Sequence, residues 1–147
     1  MKTENILFKL SRIQIEQFAT IPGVKVGEEI GISAGIEYGM EKETNTILCK
    51  VTFNFISEEQ QFIILHVRCE FTVAPEAWEC NYRIEEKKYV FPAEFMQHLG
   101  VITVGTARGI LHAKTEGTEF NKFFLPTVNL KEMVPGEVSF PEVENEK

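Results

Sequence analysis

Three histidines, three cysteines and several paired glutamates are the residues of this chain with the chemistry for catalysis or metal binding. His66, His98 and His112 are far apart in sequence. On a helix, His98 and His112 would sit nearly four turns apart, too far to share one metal ion. Cys49, Cys69 and Cys80 lack metal-ligand spacing and read as free thiols in a reducing compartment. Cys49 and Cys69 share the apolar phase of their segments, which suits packing; a reactive thiol needs a nearby cation or helix end. The pairs Glu28-Glu29, Glu58-Glu59 and Glu85-Glu86 lie in polar turns or charged stretches, where solvation explains them. The string from Gly105 to Gly109 (Gly-Thr-Ala-Arg-Gly) has neither the glycine spacing nor the lysine of a phosphate loop. The sequence therefore predicts no catalytic residues, no metal and no cofactor.

The segments that would position any site alternate in hydropathy. Ile6, Phe8 and Leu10 lie in one phase, and Ile13 and Ile15 in the other, so a bulge is expected near Ser11 or Arg12. A long connection with a Pro-Gly turn follows Phe18. Residues 28–41 place Ile30, Ile32, Ala34, Ile36, Tyr38 and Met40 on one face. After a turn at 42–45, Ile47, Cys49, Val51, Phe53 and Phe55 are in phase; after another at 57–60, so are Ile63, Leu65, Val67, Cys69, Phe71 and Val73. Short turns between long alternating runs predict an antiparallel meander. Residues 74–90 read as a charged connection with a helical turn near Trp78.

Pro92 suits the first turn of a helix running to about Thr115. Phe95, Leu99, Ile102 and Thr106 form one stripe; Val101, Val104, Arg108 and Leu111 form another. With both stripes apolar, the helix is expected to be buried on opposite sides. Gly100, Gly105 and Gly109 cost roughly 1 kcal/mol each inside a helix and admit close approach of another backbone. Gly117 reads as a stop. Pro135-Gly136 limits any second helix to about one turn.

The fold class expected is α+β. A twisted four-stranded antiparallel sheet, a meander with a long first connection, is packed by one long C-terminal helix, and the second helix is shortened. Residues 1–137 form one domain, and 138–147 an acidic flexible tail. The formal net charge of −7, without clustered Lys and Arg, argues against nucleic acid as a partner. The opening residues lack the pattern of a signal peptide, and no apolar run reaches the roughly 20 residues of a membrane span. A cytoplasmic location is expected.

The stretch from Ala107 to Leu130 resembles the helix and exit segment of the SecB protein-export chaperones. Ala107-Arg108 match that family's helix pair, Gly117 falls within one residue of its glycine, and Val128-Asn129 match its exit. The order of upstream strands fits as well. The resemblance implies a dimer or dimer of dimers with helices sandwiched between sheets. It further implies that the chain holds unfolded or non-native polypeptides in a long apolar groove without ATP. Some members deliver clients to the SecA motor, whereas other SecB-like proteins serve an antitoxin as one dedicated partner. The chain departs from the family after Asn129-Leu130, where Pro135-Gly136 interrupts, and in residues 138–147, which lack a clear counterpart of the features that dock on SecA.

Twelve phenylalanines are many for this length, and not all can share one core face. Each reads either as core or as partner surface. Under the resemblance, Phe18, Phe53, Phe55, Phe62, Ile64, Phe123, Phe124 and Leu125 are the client-binding candidates. Val101, Val104, Gly105, Arg108 and Leu111 are the candidates for an interface between copies.

Overall fold

A computed structural model describes residues 5–142. Four long strands, β1 (Phe8–Thr20), β2 (Gly31–Glu41), β3 (Thr46–Ser57) and β4 (Gln60–Val73), form an antiparallel sheet in the order β1-β4-β3-β2. The long first connection carries the chain from one edge of the sheet to the other. Gly27 fastens it where it passes the far turn, its N–H donating to Ser57 Oγ at 2.8 Å. Hydrophobic alternation fixes the register: Ile47, Cys49, Val51 and Phe53 pair with Phe71, Cys69, Val67 and Leu65, and all are fully buried. The β3–β4 hairpin closes on Glu58 and Glu59, both at positive φ (51° and 67°), as a two-residue turn that follows the strand twist requires.

The expected bulge is present. The β1–β4 register shifts between Leu10 and Arg12, and again between Ile15 and Gln17. Each shift inserts one residue, so Leu10, Ile13, Ile15 and Phe18 end on the same face despite their odd spacing.

Helix α1 (Pro75–Cys80) tucks Trp78 under the sheet end, its indole N–H donating to Val73 O. Helix α2 (Ala93–Thr115) then crosses β3 and β4. Its buried face is Met96, Leu99, Gly100, Thr103, Val104, Ala107, Leu111 and Thr115. Thr103 and Thr115 donate their hydroxyls to Leu99 O and Leu111 O, so both buried hydroxyls are paired. Gly117 leaves the helix at φ +78°, which glycine alone adopts without strain.

Within the single protomer, α2 is covered on one side. Val101 is 54% exposed, and Gly105 and Gly109 face open space. The one-turn second helix, α3 (Leu130–Met133), explains the asparagine of the exit: Asn129 Oδ1 caps it by accepting from the Lys131 and Glu132 N–H groups.

Residues 74–90 hold more than a connection. Strands β5 (Tyr82–Arg83) and β6 (Lys88–Phe91) join β7 (Val138–Pro141) in a small second sheet. The flexible tail expected from residue 138 is thereby corrected through Glu142, whose N–H donates to Lys87 O. Phe140 is buried against Phe91, which anchors β7 to the core. The rest of the expected tail, 143–147, lies outside the described residues.

Candidate functional site

The two faces of the large sheet differ in chemistry. The face away from α2 carries a charge ladder: Glu16 lies 3.3 Å from Lys50 and 3.4 Å from Arg68, and Arg68 lies 3.3 Å from Glu70. Such a face is well solvated. The face toward α2 is largely apolar, and α2 lies mainly over β3 and β4, touching β2 at Ile36 and Tyr38 and β1 at Phe8. Phe8 is sheltered at the helix start, edge-on to Phe95 and His98. Farther along β1, Leu10, Ile13 and Ile15 remain 41%, 48% and 38% exposed although they point to the core side.

This stripe was not among the residues singled out in the sequence. Its signal was the phase switch at Ser11, which a bulge converts into one continuous apolar face.

The predicted client-binding residues divide. Phe53, Phe55, Phe62 and Leu125 are buried and belong to the core, a correction to the expectation that they line a surface. Phe62 lies out of phase with its strand, yet the irregularity at Phe55 and Ile56 brings it to the core side. There its ring meets Phe55 at 6.0 Å and Phe123 at 5.0 Å between centroids. Phe18, Ile64 and Phe123 are half-buried. Phe124 points away from Phe123, is 59% exposed, and stacks on His112.

The interface candidates divide as well. Val104 and Leu111 are buried within the protomer and are corrected to core. Arg108 donates to Pro126 O at 3.1 Å and so ties α2 to the exit segment. Val101 and Gly105 remain at the surface.

Catalytic geometry does not emerge among the described residues. A cleft of about 910 Å³ runs between residues 27–33 and the β3–β4 turn, with Glu28, Glu29, Glu58 and Glu59 around Ile30, Ile32 and Ile56. Its polar lining is these carboxylates and the Ser33 hydroxyl, with no histidine or cysteine beside them. No group of three or more His, Cys, Asp or Glu side chains among the described residues is placed to hold a metal. No helix among them is long and apolar enough to cross a membrane.

Cys49 and Cys69 oppose each other on β3 and β4, both fully buried. Burial pushes the Cys49 thiol up to about 12 from 9.0, with Thr103 hydrogen bonding opposing the rise. Burial also raises Cys69 and, chiefly, Tyr38, whose hydroxyl donates to Met96 O at 2.6 Å. These groups are inert packing elements.

A pH dependence follows. As pH rises the unfolded chain releases the Cys49 proton first, so this contribution is full below pH 9 and is lost toward pH 12. The expected slope is up to about 1.4 kcal/mol per pH unit, steepened at the alkaline end by Tyr38. Urea midpoints at pH 7, 9 and 11 read it directly. A midpoint unchanged at pH 11 would contradict the burial of these groups.

Comparison with known protein families, curated proteins and solved structures finds no match to this chain.

Proposed function

We propose that this protein is a SecB-like holdase, binding non-native polypeptides by apolar contact without nucleotide or cofactor. The observation that supports it best is the stripe of Leu10, Ile13 and Ile15, apolar side chains left uncovered on the helix side of an edge strand. Water-exposed apolar surface of this kind favours a partner over solvent by roughly 25 cal/mol per Å² covered. The occupant proposed is an extended, unfolded segment, because the stripe is long, narrow and without directional polar groups that would select one sequence. Phe124 adds a second exposed apolar anchor. The free cysteines fit a reducing, cytoplasmic setting.

The test is aggregation of a chemically unfolded client, followed by light scattering. The protein is expected to suppress aggregation near stoichiometric amounts. A double variant, Leu10→Ser with Phe124→Ser, is expected to lose at least half of that suppression while keeping its circular dichroism. Client aggregation undiminished by several-fold excess of the unaltered protein would rule out a general holdase and leave a single-partner adaptor as the surviving reading.

A further inference from the structure

Strand β7 is a short extended segment seated in a socket made by other parts of the chain. Phe140 is 6% exposed, its ring 6.2 Å from that of Phe91, and Val138, two residues earlier on the same face, is half-buried. The socket is supported from elsewhere. Phe91 and Tyr89 are each edge-on to the buried Trp78, at 5.2 Å and 5.3 Å, and β5 holds the other edge of β6, where Val90 N–H donates to Asn81 O.

Backbone polarity shows how β7 is held. Glu142 N–H donates to Lys87 O across β6–β7. By alternation Lys87, Tyr89 and Phe91 bond to β7, opposite Glu142, Phe140 and Val138, while Lys88 and Val90 bond to β5. A row of main-chain bonds thus accepts any extended segment, and the socket selects an apolar residue and an aromatic one at a spacing of two. That is how peptides are recognised by strand addition. Charge marks the two ends: Glu137 lies 2.8 Å from Arg83, and the Tyr82 hydroxyl donates to Glu142 at 2.7 Å.

The ties of β7 are those of a segment that opens locally. Only four residues pair, and a single side chain is buried. The Arg83–Glu137 pair joins exposed side chains, where such pairs contribute little. Pro135-Gly136 leads into the strand, with open space around Gly136. On its outer side Ser139 directs its backbone away from β6 and Pro141 has no N–H, so β7 ends the sheet and adds no further strand.

We propose that β7 is a displaceable strap. The edge of β6, with its Phe91 and Tyr89 socket, is a strand-addition site for an extended polypeptide segment that carries an apolar residue and, two residues on, an aromatic one. The strap fills this site until such a segment replaces it. The source of the segment is the non-native client proposed above, and that part alone rests on the holdase reading. The occupant runs antiparallel to β6, with acidic groups at its ends opposite Arg83 and Tyr82.

The probe is a peptide with the sequence of residues 136–142. The reporter is Trp78, the only tryptophan of the chain, in contact with both socket residues. Phe140→Ser with Val138→Ser withdraws the side chains of the strap. That variant is expected to bind the peptide roughly tenfold more tightly than the unaltered protein, because its site is open for a larger fraction of the time. A peptide with serine in place of its phenylalanine is expected to bind neither. Lys88→Cys with Pro141→Cys, in a Cys80→Ser background, fastens the strap, since these residues face each other in a non-hydrogen-bonded pair within disulfide reach. The oxidised form is expected to bind no peptide, and the reduced form to bind it as the unaltered protein does. Binding unaffected by the closed disulfide would overturn the site. So would absence of binding to the Phe140→Ser, Val138→Ser variant with native circular dichroism. If that variant does not fold, hydrogen exchange on the unaltered protein decides. The Val138, Phe140 and Glu142 amides are expected to exchange roughly a hundredfold faster than those of β3. Exchange as slow as in β3 would mean that β7 leaves only when the whole protein unfolds, and the strap is refuted. Peptide capture without suppression of client aggregation would keep the strap and remove the holdase; suppression without peptide capture would do the reverse.

Discussion

Phe62→Ala is expected to lower the unfolding free energy by about 3–5 kcal/mol, read from urea denaturation. The ring is fully buried between Phe55 and Phe123, and these three rings plug the end of the core where β3 turns into β4. Truncation leaves a cavity that the flanking strands cannot close, because both are held in register by paired neighbours. Domains of this size have only about 5–15 kcal/mol to lose. Phe124→Ala removes an equal number of atoms but is expected to stay within about 0.5 kcal/mol, because the side chain is 59% exposed and gives up only its stack on His112. The pair separates two meanings of an aromatic residue that sequence alone does not separate. Loss of the proposed holding activity in Phe62→Ala would report unfolding, whereas the same loss in Phe124→Ala would report contact with the proposed client. A urea midpoint for Phe62→Ala within error of the unaltered protein would mean that the three-ring cluster is not core.

Sequence reasoning reached the large sheet because long alternating strands and short turns are local signals. It reached α2 and its stop at Gly117 for the same reason. The small second sheet was illegible: β6 pairs with β7 from the far end of the chain, and four-residue strands in charged sequence have no periodicity to detect. The apolar stripes at Phe95–Thr106 and Val101–Leu111 do not say which layers cover them, and within one protomer the sheet covers one side of α2. The aromatic residues failed similarly. Phe53 and Phe55 shared the phase of Cys49, which placed them inward, and only the abundance of phenylalanine suggested otherwise. The stripe on β1 was hidden by its own bulges, which shift spacing from two residues to three while keeping one face.

Two glycines of α2 should respond in opposite directions to added bulk. At Gly100, a Cβ would stand 2.6 Å from Leu130 Cδ1, 3.1 Å from Ile36 Cδ1 and 3.2 Å from the Tyr38 hydroxyl. Alanine displaces two methyl ends and crowds the Tyr38 hydroxyl, but Gly100→Leu must push α3 and β2 outward together and is expected to cost about 3 kcal/mol. It should also open Tyr38 to water and relieve the burial that raises its pKa, so tyrosine absorbance ought to titrate at lower pH than in the unaltered protein. At Gly105 nothing lies within 4 Å. Gly105→Ala is expected to stabilise by about 0.5–1 kcal/mol, the helix-propensity difference with no clash to oppose it. Gly105→Leu should likewise leave the urea midpoint no lower than that of the unaltered protein. Equal midpoints for Gly100→Leu and Gly105→Leu would mean that α3 does not press on α2 as described.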